Sequence, residues 1–170
     1  MDPLAKEILK ELFPPEKDLD ALASKAPTAP RSPAGRLDHW SHAILLERGA
    51  YLCKLAKLGD GSASETLKEY PQHCAMLSVR SRSGEAELHE NFADVFYVLD
   101  GRAVLVTGGT VVNARSVGPG EMRGSSVEGG ARQELRAGDV AHVPAGVPHQ
   151  MLIDGDKTVT CLVMKIQEKP

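Results

Sequence analysis

From Gly49 onward the chain is written in short runs where apolar and polar residues alternate, each closed by Gly, Pro, Asn, Asp or Ser. A period of two sends successive side chains to opposite faces of a strand. Many such runs, with no long helical period among them, restrict the body to an all-β sandwich or barrel such as a jelly roll. The clearest run is 73–82, with Ala75, Leu77 and Val79 on one face and Ser78, Arg80 and Arg82 on the other, read as a solvated face in preference to one where Arg80 and Arg82 meet an anionic substrate. Further strands are expected over residues 51–58, 94–99, 102–107, 140–143, 150–153 and 158–166. Asp100-Gly101 reads as a two-residue hairpin turn between two of them, and 154–156 as the turn before the last. The polar stretch 59–72 reads as a loop or short helix.

A chain of 170 residues suits one domain with a short appendage and buries enough surface to need no disulfide staples. Lys and Arg total 20 against 23 acidic residues, a net charge of −3, so no basic stripe argues for nucleic acid or an anionic membrane. Cys53, Cys74 and Cys161 are odd in number and lack a CxxC spacing, which favours buried thiols over a disulfide framework or a thiolate zinc site. The first residues hold no apolar run long enough for a signal peptide or membrane helix, so a cytoplasmic location is expected.

Residues 1–36 differ in texture from 37–170 and are read as an arm on the main domain. Leu4, Ile8 and Leu12 recur at helical spacing until Pro14 and Pro15, a second short helix is expected over 15–24, and Pro27, Pro30 and Pro33 favour extended chain. Residues 37–47 are expected to form another short helix, ended by Gly49. His39 and His42 stand three apart there, but with no carboxylate pattern nearby they read as surface or packing residues, and Trp40 as an anchor to the body.

Two stretches carry the chemistry: 87–101, ELHENFADVFYVLDG, and 138–149, GDVAHVPAGVPH. Glu87 and His89 are two apart and share a strand face; Asp94 shares its face with Phe96 and Val98; His149 follows a turn and shares its face with Met151 and Ile153. Gly138, Pro144, Gly146 and His149 match the second motif of the cupin superfamily, G-x5-P-x-G-x2-H, for which about 0.003 chance matches are expected at this composition. Glu87, His89, Asp94 and Gly101 resemble a variant of the first cupin motif, H-x-H-x3or4-E-x6-G, with Glu87 in place of the first histidine and Asp94 in place of the glutamate. The resemblance covers about residues 50–166. It implies a cupin-type double-stranded β-helix, a jelly-roll barrel, here with a short helical N-terminal arm.

If the motifs meet across the barrel, Glu87, His89, Asp94 and His149 offer two imidazoles and two carboxylates to one divalent ion. That nitrogen and oxygen set suits Fe, Mn, Ni or Zn. Glu87 has a second reading, as a catalytic carboxylate acting as general base beside a three-ligand site. Such a site would bind and polarise a small oxygenated substrate, as in dioxygenases, isomerases, decarboxylases or lyases; the alternative is a non-catalytic cupin that binds or senses a small ligand or metal. A homodimer is expected, with no nucleic-acid or membrane partner. His142 reads as a barrel-wall residue or one supporting the ligands from behind, in preference to a pocket residue, and the glycine-rich segment 118–130 as a mobile rim beside the pocket, a plain hairpin extension or an oligomer contact.

Overall fold

The computed structural model describes residues 37–168, so the helices and proline-spaced stretch expected over 1–36 lie outside the described residues. The chain divides into Met1–His39 and Trp40–Pro170, and every element named below belongs to the second unit. One helix, α1 (His42–Leu58), precedes twelve strands. They are β1 (Ser62–Glu69), β2 (His73–Arg80), β3 (Ala86–His89), β4 (Phe92–Thr107), β5 (Thr110–Val112), β6 (Arg115–Gly118), β7 (Glu121–Gly124), β8 (Ser126–Glu128), β9 (Ala131–Arg136), β10 (Val140–Val143), β11 (His149–Leu152) and β12 (Val159–Gln167).

Ten strands form one antiparallel sheet in the order β1-β2-β12-β4-β11-β3-β7-β6, with β9 and β10 also paired to β4; β5 and β8 pair separately. The sheet curls on itself as the double-stranded β-helix expected from the sequence, and β4 belongs to both of its walls. Its first half pairs with β12 and β10, its second half with β11 and β9. Val98, Ala103, Leu105, Leu135, Val143, Met151, Ile153, Val159, Cys161 and Val163 fill the space the walls enclose.

The long β4 corrects the expected hairpin at Asp100-Gly101. The chain does not reverse there. Gly101 adopts φ +80°, and next to it the pairing slips between Asp100 and Val98, opposite Thr160 and Cys161 of β12. Asp-Gly signals a positive φ, and here that freedom bends a strand from one wall into the other.

The strand expected over 51–58 is also corrected, together with the short helix ending at Gly49. Both belong to the 17-residue α1. Ser41 caps it by accepting from the Ile44 N–H at 3.3 Å. Leu45, Arg48, Gly49, Leu52 and Ala56 are its buried residues, one continuous stripe at helical spacing. Gly49 sits inside the helix because a Cβ there would lie 2.8 Å from Thr160 Cγ2. The glycine lets the helix lie close to β12 and is no stop signal. The stretch 59–72 holds β1, whose exposed alternate residues disguised a strand as a loop; its Glu65 pairs with the buried Arg48 of α1.

β2 alternates as expected, but its two faces exchange roles. Ala75, Leu77 and Val79 are fully buried, on a strand that packs against α1. Part of the face read as solvated turns inward: Met76 and Ser78 line a cavity and Arg80 reaches Glu87, while Arg82 stays exposed as expected. The glycine-rich segment is built into the sheet as well. β7 pairs with β3 over four residues and β8 with β5. Its glycines supply positive φ at Gly120 and Gly129 and a close approach at buried Gly124, where a Cβ would stand 2.4 Å from Val112 O.

All three cysteines are free. Burial pushes the Cys161 thiol up to about 12, whereas Cys53 and Cys74 are only half-buried, short of the burial expected for them. No helix among the described residues is long and apolar enough to cross a membrane.

Candidate metal centre

Strand register builds the site. Glu87 of β3 stands opposite His149 of β11, His89 opposite Glu121 and Glu87 opposite Arg123 across β3 and β7, and Asp94 opposite Lys165 across β4 and β12. Directly opposed residues share a face with Cβ atoms about 5 Å apart, so these pairings converge on one point. Gly146, at φ +81°, donates its N–H to His89 O at 2.7 Å and ties the turn before His149 to β3.

The four residues singled out in the sequence come together. His89 Nε2 lies 3.4 Å from Glu87 Oε2 and 3.3 Å from Asp94 Oδ2, and His149 Nε2 lies 3.5 Å from the same Asp94 oxygen. Ligand atoms of Glu87, His89 and His149 all lie within 4.8 Å of one another. Bonds near 2.1 Å place adjacent donors of a divalent ion about 3.0–3.5 Å apart, the range of the His89 contacts to Glu87 and Asp94 and of the His149 contact to Asp94. His89 and His149 are held with their Nε2 atoms inward. Glu121 Oε2 lies 2.6 Å from His89 Nδ1, and Val147 O lies 3.2 Å from His149 Nδ1. Such partners orient an imidazole and reserve its other nitrogen for a ligand.

Charge is tightly balanced. Burial pushes the Glu87 carboxyl up, but the His89 hydrogen bond and the Arg123 and Arg80 guanidiniums outweigh it and bring it down to about 2. Burial likewise opposes ionisation of Asp94, yet hydrogen bonds from His149 and His89 and the Lys165 charge hold it well below the usual carboxylate range. For His89, burial disfavours the cation while hydrogen bonds to Asp94 and Glu87 favour it and win, raising its pKa to about 9. Lys165 Nζ donates to Asp94 Oδ1 at 2.7 Å and stands 3.0 Å from His89 Nε2. That second contact is attractive only while Nε2 keeps its lone pair, so a proton and the ammonium compete for one place.

The cluster opens into a cavity of about 250 Å³. Met76, Phe96, Met151 and Val163 supply its apolar wall, and Arg123 and Lys165 its positive charge. A larger cavity of about 520 Å³ runs beside Leu46, Cys53 and Thr158. Its lining holds none of the cluster residues, whereas a third cavity of about 340 Å³ is lined by Arg80, Glu87 and Arg123. His142 is exposed on the outside, 3.6 Å from Glu168, and His39 and His42 are exposed too, as their sequence context suggested.

Sequence reasoning missed Glu121, Arg123 and Lys165, and favoured a solvated face for Arg80 over contact with an anionic substrate. Glu121-Met-Arg123 repeats the two-residue spacing of Glu87-Leu-His89, a signal hidden by the surrounding glycines. Lys165 continues the face of Val159, Cys161 and Val163. A charge ending an otherwise apolar face was the available sign.

Residues 117–165 match the family model described as Cupin domain. No curated protein matches. Among solved structures, TT1209 from Thermus thermophilus is 20% identical, with 66% of this chain and 93% of that chain covered at a TM-score of 0.46. KdgF from Halomonas sp. is 17% identical over 65% of this chain and 85% of its own, with a TM-score of 0.45. The polyketide cyclase RemF from Streptomyces resistomycificus is 19% identical over 65% and 68%, with a TM-score of 0.46. Likenesses of this order carry no chemistry across to this chain.

Proposed function

We propose that this chain, whose β body is a cupin-superfamily domain, binds one divalent metal through Glu87, His89, Asp94 and His149 and acts on a small oxygenated molecule. The observation that supports the reading most is the pair of inward Nε2 atoms, each fixed from behind and each within 3.5 Å of Asp94 Oδ2. Fe, Mn, Ni and Zn all suit this donor set. Bound there, such an ion supplies Lewis-acid polarisation of a substrate oxygen.

The chain's own groups do the rest. Glu121 and Val147 keep the imidazoles aligned, and Arg80 donates to Glu87 Oε1 at 2.8 Å, leaving Oε2 directed at His89. With its carboxyl held near 2, Glu87 is a weak proton acceptor at neutral pH, which favours its role as ligand over that of base. Met76, Phe96, Met151 and Val163 cover the carbon skeleton of a substrate and exclude water, while Arg123 and Lys165 attract its oxygens. Dioxygenase, isomerase, decarboxylase and lyase chemistry all fit such a pocket. Two copies associating through the outer face, where register partners Tyr97 and Val140 are both exposed, is part of the same proposal.

Protein reconstituted separately with Fe(II), Mn(II), Ni(II) and Zn(II) is expected to consume oxygen or form product from at least one of a panel of small carboxylates, diols and sugars. Tight binding without conversion would instead support a ligand-binding or sensing role, a reading favoured by the ammonium of Lys165 among the donors. Neither binding nor conversion would contradict both.

A further inference from the structure

We infer that Lys165 is a resident counter-cation that holds the donor cluster against metal entry, so that loading the site requires its ammonium to leave Asp94 and His89. The inference rests on the metal-binding reading above and concerns what opposes that binding. Lys165 Nζ stands 2.7 Å from Asp94 Oδ1 and 3.0 Å from His89 Nε2, two of the atoms an ion would need. A metal bonded to Nε2 at about 2.1 Å would stand in the 3.0 Å gap between that nitrogen and the ammonium, so both cations cannot be there at once.

Position and chemistry make the exchange feasible. Lys165 is the register partner of Asp94 on the neighbouring strand, so its stem is anchored beside the cluster whatever its tip does. The ammonium sits on a flexible four-carbon stem. Its side chain is 24% exposed where that of Asp94 is 5%, and it lines the cavity of about 250 Å³ that gives it room to withdraw. Asp94 and His89, both buried, have no comparable freedom. The lysine is therefore the member of the cluster that moves. Its departure also leaves a positive charge at the cavity wall, where an anionic group of a ligand would meet it.

If Lys165 were only an ion-pair partner stabilising the barrel, replacing it would leave metal affinity unchanged or lower. Competition predicts the opposite. Titration of Mn(II) and of Zn(II) against a fluorescent chelator, in wild type, Lys165→Met, Lys165→Arg and His149→Ala, separates the two. Removing a like charge a few ångströms from the ion is expected to tighten binding about tenfold or more in Lys165→Met. The metal-free variant should melt at a lower temperature than wild type and recover when loaded, because its carboxylates lose their counter-cation. Lys165→Arg keeps the charge and should stay near wild type. Should Lys165→Met fail to fold, Lys165→Gln is read by the same criterion. Equal or weaker binding in the neutral variants, with wild type binding metal, overturns the inference and leaves the metal site intact. Binding by neither wild type nor the neutral variants removes the site itself. Binding by the neutral variants alone supports the inference in its strongest form.

Discussion

His149→Ala is expected to weaken divalent-metal binding by at least about 100-fold, since loss of a mere orienting partner already costs about 10–100-fold. His149 is 4% exposed and presents Nε2 within 3.5 Å of Asp94, and among the described residues no other His is placed to substitute for it. His142 is seven positions away and faces outward to Glu168. Glu87 is the direct register partner of His149, so the variant leaves Glu87, His89 and Asp94 in place with one donor fewer. The fold should survive. Losing one buried partner of a carboxylate costs about 1–3 kcal/mol, which a domain of this size tolerates. Equilibrium dialysis with Zn(II) measures the first effect and thermal melting of metal-free protein the second.

Gly101→Ala is expected to be the most damaging single-methyl change in the barrel, costing more than about 3 kcal/mol in urea unfolding or preventing folding. Its backbone sits at φ +80°, and a Cβ would be placed 2.0 Å from Thr158 O. That oxygen accepts the Arg102 N–H at 3.1 Å, and Gly101 O accepts the Ala137 N–H at 3.2 Å. Moving the backbone to relieve the clash breaks the corner where β4 passes from one wall to the other. Gly138→Ala is the matched control. It has φ +96° but nothing within 4 Å of an added Cβ, so only the left-handed backbone term of about 1–2 kcal/mol remains. Equal losses in the two variants would mean that the close approach to Thr158 plays no part.

The spacing of residues read from the sequence carried far in this chain. Glu87 and His89 on one strand face, and Asp94 sharing its face with Phe96, follow from a period of two, which is a local property. The companions of these residues are not local. Glu121, Arg123 and Lys165 reach the cluster through pairing between residues up to 71 positions apart, and register cannot be read from either strand alone. Gly49, Gly101 and the glycines of 118–130 misled for one reason. A glycine marks where the backbone bends or is closely approached, and that occurs inside a helix, a strand or a sheet corner as readily as in a loop. The inverted face of β2 has a similar origin. Ala75, Leu77 and Val79 face the one helix of the described body, which makes the outer side of that strand apolar and frees its inner side for Ser78 and Arg80.

One measurement bears most directly on the central claim. Wild-type protein, purified without a metal-affinity column and stripped with chelator, is dialysed separately against Fe(II), Mn(II), Ni(II) and Zn(II); its metal content is then determined, and the environment of the ion examined by X-ray absorption. About one ion per chain is expected for at least one metal, bound by nitrogen and oxygen donors with no sulfur. Retention of none of the four ions, or sulfur among the donors, would contradict it.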